Sequence, residues 1–242
     1  MDIQQIENYI LKNGLSEVLA HEDLIHFVRH QLHDFGRLMA FYRCAMMEVE
    51  TKFNVISEDF TYQYERNPIE NIKSRLKEPA SIFSKLKRRE QPLTVESIEE
   101  NLFDVAGVRV VCSFVDDVYQ IAEALLSQDD VVLIERKDYI QNPKPNGYRS
   151  LHLIVAVPIF LTNQKKMMTV EIQLRTIAMD FWASLEHQLR YKKENVMTPD
   201  MEMDLKTCAE VSSHLDVLMN ELCQKIASTN GSSRPLPPEV NK

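Results

Sequence analysis

The sequence predicts one α/β domain with helical arms at both ends. Apolar residues recur at steps of three or four from about His21 to Phe53, and again from Met201 to Ile226. Between these stretches the period changes to runs rich in Val, Ile and Leu that suit strands. The chain has 242 residues, 44% of them hydrophobic and 26% charged, enough for one large domain with helical additions or for two small domains. No internal repeat is evident.

In chain order, the first helix carries Leu24, Val28, Leu32, Phe35, Met39, Tyr42, Met46, Val49 and Phe53 on one stripe. The next regular stretch, from about Ile69 to Arg89, is interrupted by Pro79. That proline is expected to start a second helix with Ser81, Lys85 and Arg88 on neighbouring turns. Thr94 is placed to cap a short helix ending at Gly107. The strands are VRVVCSF (Val108 to Phe114), VVLIER (Val131 to Arg136), LHLIVAV (Leu151 to Val157) and TVEIQLR (Thr169 to Arg175), with a helical segment from Asp117 to Leu126 between the first two. TVEIQLR alternates cleanly, so Glu171, Gln173 and Arg175 share a polar face opposite Val170, Ile172 and Leu174. A helix from Thr176 to about Lys193 should bury Trp182, Leu185 and Leu189. Thr198-Pro199 then opens the last helix as N-cap and first position, with the stripe Met201, Leu205, Cys208, Leu215, Leu218, Leu222 and Ile226. The tail from Thr229, with GSSRPLPPEVNK, is expected to be mobile.

Charge and cysteine usage exclude several classes. A net charge of -8 argues against a general nucleic-acid binder. The cations are local, however: Lys73, Arg75, Lys77, Lys85, Lys87, Arg88 and Arg89 crowd one segment, as either a solvated helix face or a site for a compact anion. Cys44, Cys112, Cys208 and Cys223 form no Cys-x-x-Cys unit, which argues against structural zinc and a disulfide framework. The start MDIQQIENYI lacks a signal peptide's basic and apolar regions, and LIVAVPIFL is too short to span a membrane. A reduced, cytoplasmic protein is expected.

The most informative stretch is KPNGYRSLH, Lys144 to His152. Gly147 permits a turn that aims the Tyr148 ring outward, where it could stack on a base while Lys144 and Arg149 reach phosphates; Pro-Asn-Gly is also an ordinary turn signal. Asp104 precedes a strand and Glu171 lies on a polar strand face, so the two carboxylates would share one Mg²⁺ if those strands are neighbours. Arg75 and Arg109 suit stacking on a nucleobase, and Lys77, Lys85 and Arg88 suit its phosphates. With five glycines and neither G-x-x-x-x-G-K-[ST] nor G-x-G-x-x-G, phosphates must be held by side chains. His26, His30, His33 and Asp34 have metal-ligand spacing but read better as the wet face of a helix. Ser150 has no nucleophile elbow, and Glu186-His187 lacks the second His of a zinc-protease motif.

Three blocks, FDVAGVRVVCSFVDDVY, DYIQNPKPNGYRSLHLIV and VEIQLRTIAMDFWASLEHQLRYK, resemble in order the small alarmone synthetases of the RelA/SpoT family, over about Ser74 to Lys192. The resemblance implies a nucleotidyltransferase-like fold, a mixed β-sheet flanked by helices, whose long terminal helices build a homotetramer. It divides the chain into an N-terminal helical region (1–68), a synthetase domain (69–195), an oligomerisation helix (196–228) and a tail (229–242). It implies transfer of pyrophosphate from ATP to the 3′-hydroxyl of GDP or GTP, giving AMP and ppGpp or pppGpp. Asp104 then corresponds to a Mg²⁺ ligand, and Glu171 to the second carboxylate and candidate base. Arg75 and Arg109 correspond to the adenine sandwich; Lys77, Ser81, Lys85 and Arg88 to donor-phosphate contacts. On the acceptor side stand Tyr148 as the guanine-stacking ring, Lys137, Lys144 and Arg149 near the phosphates, His152 and Gln173, and Asp180 near guanine. Hydrolase activity is not expected, since HED at His21 to Asp23 lacks the surrounding pattern. A tRNA 3′-end pyrophosphokinase and a catalytically dead nucleotide sensor or RNA-binding module are the competing readings. The acidic balance counts against the first, and the presence of both Asp104 and Glu171 against the second.

Overall fold

The computed structural model describes residues 22–190 and 197–229, with side chains from Leu32 onward, Ala227 excepted. Helix α1 (Glu22–Tyr64) is followed by strand β1 (Ile69–Leu76), helices α2 (Pro79–Arg88) and α3 (Val95–Asn101), strand β2 (Ala106–Cys112) and helix α4 (Val115–Leu126). Strands β3 (Val132–Asp138), β4 (Leu151–Phe160) and β5 (Lys165–Thr176) come next, then helices α5 (Ile177–Arg190) and α6 (Pro199–Thr229). The sheet has the order β1-β2-β5-β4-β3. The β2–β5 pair is parallel and the others are antiparallel, so the sheet is mixed.

One face of the sheet is apolar. Val108 and Val110 of β2, Leu151, Leu153 and Val155 of β4, and Val170, Ile172 and Leu174 of β5 are buried with Tyr42, Val49 and Phe53 of α1 and Ile121 and Leu125 of α4. The period of two sends the intervening residues to the opposite face, where the polar side chains collect. Pro158 sits inside β4, which runs past the expected end at Val157. Pairing with β3 stops at Ala156, so Pro158 has a neighbour on one side only and no cross-strand bond is lost on the other.

The structure corrects several expectations. Ile69–Leu76, expected only as part of a regular stretch, is an edge strand: its residues are mostly exposed, so no buried stripe marks its period. Pro79 does begin a helix, α2. Thr94 caps α3, its hydroxyl accepting the Ser97 N–H at 3.2 Å, but α3 ends at Asn101 and Gly107 lies within β2. Thr198 caps α6 as expected, accepting the Met201 N–H at 3.3 Å. Yet Met201, Leu215, Leu218, Leu222 and Ile226 are exposed, while Ala209 and Asp216 are the buried residues among that helix's described side chains. In α5, Trp182 is buried as expected but Leu185 and Leu189 are exposed, and in α1 Leu32 is exposed. The side chains of Leu24, Val28, His26 and His30, the segment 191–196 where α5 was expected to end, His21 and the tail from residue 230 lie outside the described residues. Among the described residues no helix is long and apolar enough to cross a membrane.

Candidate active site

Strand register assembles the polar face into two neighbouring rungs. One runs Lys73–Arg109–Gln173–His152–Lys137 across β1, β2, β5, β4 and β3; the next runs Arg75–Gly107–Glu171–Ile154–Glu135. Side chains on alternate residues share a face, so three adjacent strands bring the cations of β1 and β2 beside the carboxylate of β5. Gly107 stands between Arg75 and Glu171 without a side chain, which leaves the floor of the cleft open. The cleft, about 520 Å³, is lined by Lys73, Arg75, Lys77, Asp104, Arg109, Glu171 and Gln173, among others. A second cleft of about 460 Å³ adjoins it. Its walls are Ser81, Ser84, Lys85 and Arg88 on successive turns of α2, and it shares Lys77 and Asp104 with the first.

Asp104 lies just before β2 at the junction of the clefts. Its Oδ2 accepts hydrogen bonds from Lys77 Nζ and Lys85 Nζ, both at 2.5 Å. Burial pushes the carboxyl's pKa up, but the two ammoniums more than offset that and hold it below the usual carboxylate range. Its Oδ1 is buried and accepts no hydrogen bond among the described residues.

Glu171 is held by its neighbours on the same face. Gln173 Nε2 donates to Oε2 at 3.2 Å, and His152 Nδ1 lies 3.4 Å from Oε1. Burial pushes this carboxyl up, the Asp104 charge adds to that, and the bonds from His152 and Gln173 outweigh both, so it remains below its ordinary value. The tautomer of His152 follows from the network beyond it. Tyr148 Oη accepts from Arg175 Nη2 at 2.7 Å and from Ser150 Oγ at 3.0 Å, which assigns its own proton to His152 Nε2, 2.9 Å away. The imidazole proton then sits on Nδ1, facing Glu171.

The Tyr148 ring is enclosed by Arg175 and Lys144, whose charged groups lie 5.1 Å and 4.8 Å from its centroid, and it meets His152 edge-on. Asp180, at the start of α5, accepts from Arg175 Nη1 at 3.1 Å and Arg109 Nη1 at 3.3 Å.

The expected donor residues Arg75, Lys77, Ser81, Lys85, Arg88 and Arg109 thus line two adjoining clefts with Asp104, and Glu171 and Gln173 line the first. His152, Tyr148, Lys144 and Asp180 join them through contacts. Two residues stand apart. Lys137 is paired with Glu135 at 2.8 Å, and Arg149 is turned to Asp216 of α6 at 3.3 Å. Residues not singled out from sequence are Arg175, which ties Tyr148, Gln173 and Asp180 together, Tyr139, whose ring meets Tyr148, His152 and Lys144, and Asp216. The alternation of β5 already put Arg175 on the face of Glu171 and Gln173; nothing local marked Asp216.

Mg²⁺ would find a fitting donor set here. Two carboxylates line one cleft, one with a buried oxygen that no donor among the described residues occupies, and those residues hold no cluster of three His, Cys, Asp or Glu. A hard cation that keeps waters and takes phosphate oxygens needs only one or two such ligands.

Residues 74–196 match the family described as the region found in RelA/SpoT proteins. The chain is 44% identical to GTP pyrophosphokinase YwaC of Bacillus subtilis over 188 residues, 78% of this chain and 90% of that relative. It superposes on small alarmone synthetase 1 from Bacillus subtilis bound to its product pppGpp with a TM-score of 0.72 and 36% identity, covering 79% of this chain and 97% of that one. The same synthetase bound to AMPCPP gives a TM-score of 0.67 at 33% identity, over 79% and 97% of the two chains.

Proposed function

Because the chain belongs to the RelA/SpoT family, we propose that it is a GTP pyrophosphokinase, a small alarmone synthetase that makes ppGpp or pppGpp. The observation that carries this reading is the pairing of β2 with β5, which brings Asp104 and Glu171 into one cleft walled by Lys73, Arg75, Lys77 and Arg109. A relative that holds pppGpp and, in another structure, AMPCPP supports guanine and adenine nucleotides as the ligands.

In this reading the adenine ring lies between Arg75 and Arg109, whose planar cations stack on a base. Lys77, Lys85 and Arg88, with Ser81, hold the ATP phosphates in the α2 cleft and counter the charge that gathers on the transferred group. Asp104 and Glu171 would hold Mg²⁺, which supplies charge neutralisation at the phosphate oxygens. The acceptor's guanine stacks on Tyr148 with Asp180 near its edge, Lys144 reaches its phosphates, and Lys137 joins it on exchanging its Glu135 partner for them. Glu171 takes the proton from the 3′-hydroxyl as that oxygen attacks the β-phosphorus of ATP. The bond from the β-phosphorus to the oxygen bridging it to the α-phosphorus breaks, and AMP leaves with that oxygen. His152 and Gln173 keep the Glu171 carboxylate ionised and aimed, so a base is ready at neutral pH.

We assign the exposed apolar residues of α5 and α6, among them Phe181, Leu185, Leu215, Leu218 and Leu222, to contacts between copies in a homotetramer. Elution at monomer mass in gel filtration would remove that assignment. In this reading the protein works in the cytoplasm, where its nucleotide substrates are available.

The deciding experiment incubates purified protein with Mg²⁺, ATP labelled at the β,γ-phosphates, and GDP or GTP, with anion-exchange separation of products. AMP together with labelled guanosine tetra- or pentaphosphate is the expected result. Folded, nucleotide-binding protein that yields none would overturn the assignment, and label appearing on tRNA instead would reassign the acceptor.

A further inference from the structure

Helix α6 reaches the acceptor loop by an unusual use of its faces. Leu215, Leu218 and Leu222 point outward, while Asp216 is 6% exposed and Ala209 is 4% exposed. Burial raises the Asp216 carboxyl, and Thr176 and Arg149 offset this only in part. A buried carboxylate is retained only where its partners compensate for lost water. Here the partners are specific. Asp216 Oδ2 accepts from Thr176 Oγ1 at 2.9 Å and from Arg149 Nη1 at 3.3 Å. The Thr176 hydroxyl in turn accepts the Met179 N–H at 3.1 Å and so caps α5. One carboxylate therefore ties together the end of β5, the start of α5 and the loop residue after Tyr148.

The residue before Tyr148 is fixed by the same helix. Gly147 has φ of +89°, and a Cβ there would stand 2.4 Å from the Ala209 Cβ. Tyr148 itself packs on Trp182, Ala183 and Ala209, and Trp182 Nε1 donates to the Leu205 carbonyl at 2.9 Å. Both neighbours of the proposed guanine-stacking ring are thus set by α6, outside the nucleotide clefts.

We propose that Arg149 and Asp216 form a clamp through which α6 sets the conformation of the acceptor loop, so that Arg149 is a positioning residue and not a ligand of the acceptor phosphates. The proposal rests on Tyr148 belonging to the guanine side. It predicts that Asp216, which lines neither nucleotide cleft, matters to guanine binding as much as Arg149 does.

The test compares Asp216→Asn, Arg149→Gln and the double variant. Each single substitution should raise KM for GDP about ten-fold, the equivalent of about 1.4 kcal/mol, with KM for ATP within two-fold. The double variant should be no worse than the worse single one, because both break one contact. Amide exchange over residues 141–150 should accelerate in all three, with the sheet unchanged. If Arg149 instead binds phosphate, Arg149→Gln raises KM for GDP while Asp216→Asn, which releases the guanidinium, leaves or lowers it; that pattern, or unchanged loop exchange, overturns the clamp. Should Asp216→Asn fail to fold, Ala209→Val carries the test, since it presses on Gly147 without removing a charge: an unaltered KM for GDP with unaltered loop exchange would refute the proposal. The exchange measurement needs no turnover, so it judges the clamp even in a protein without synthetase activity.

Discussion

Replacing Glu171 by Gln separates chemistry from binding, and the surrounding hydrogen bonds allow the size of each effect to be estimated. The amide keeps the shape of the carboxylate. Its oxygen can still accept from His152, but its NH₂ then faces the Gln173 NH₂ that now donates to Oε2 at 3.2 Å. Gln173 cannot turn its own amide without cost, because its Oε1 accepts from Arg175 Nη2 at 3.1 Å. One hydrogen bond is therefore lost, about 1 kcal/mol, which is about five-fold in a binding constant. Loss of the base costs about 10²–10⁴-fold in rate, and loss of one charge from the metal site adds to it. The expected outcome is a fall in kcat of at least about 10³-fold, with binding of GDP and a non-hydrolysable ATP analogue changed less than about ten-fold. Single-turnover formation of labelled product and calorimetric titration measure the two quantities. A variant whose kcat stays within ten-fold of the parent would show that Glu171 is not the base.

Three further outcomes follow, two from contacts in and beside the core and one from the cleft. Arg66→Ala strips the bidentate partner from the fully buried Asp117 side chain, now bonded at 2.5 Å and 2.8 Å. With Arg66 one-third exposed and partly screened, the loss should be about 2–3 kcal/mol, or about 5–10 °C in Tm. Adding Asp117→Asn should recover part of it, and a Tm within 1 °C of the parent for Arg66→Ala alone would count against the pair. Tyr42 is buried beside Glu99, and burial above all pushes its hydroxyl up to about 12, against about 10 when unfolded. The folded protein keeps this proton where the unfolded chain releases it, so the stability is whole below pH about 10 and about 3 kcal/mol is lost as pH rises toward 12. Urea midpoints measured across that range should fall less steeply in Tyr42→Phe; identical slopes would contradict the assignment. Chelation by EDTA should abolish turnover, reversibly with Mg²⁺, while Tm stays within about 2 °C, because Lys77 and Lys85 already neutralise Asp104. A large fall in Tm would mean that the metal is structural.

How much of this was legible beforehand depended on how far each signal reaches along the chain. The alternation of TVEIQLR placed Glu171, Gln173 and Arg175 on one face, as the strand shows. Thr94 and Thr198 marked helix starts because a cap is a matter of two or three residues. Three ordered blocks pointed to the family and its chemistry. Helix ends were harder: α3 stops at Asn101, well before Gly107, because the glycine serves the cleft floor instead of a helix end.

What the residues determine by themselves is local: the period of each segment, its caps, and the chemical types gathered in KPNGYRSLH and the basic segment. Tertiary structure alone decided which segments meet. The parallel pairing of β2 with β5 set Gly107 opposite Glu171 and so joined the cations of β1 to the Glu171 carboxylate. Docking of α6 reversed the reading of its stripe, leaving Leu215 and Leu218 exposed and drawing Asp216 inward to Arg149. Apolar periodicity identifies the face that avoids water but not the surface that will cover it, whether another element of the same chain or a second molecule. A buried carboxylate is stable only where distant donors converge on it, and the local sequence does not place those donors.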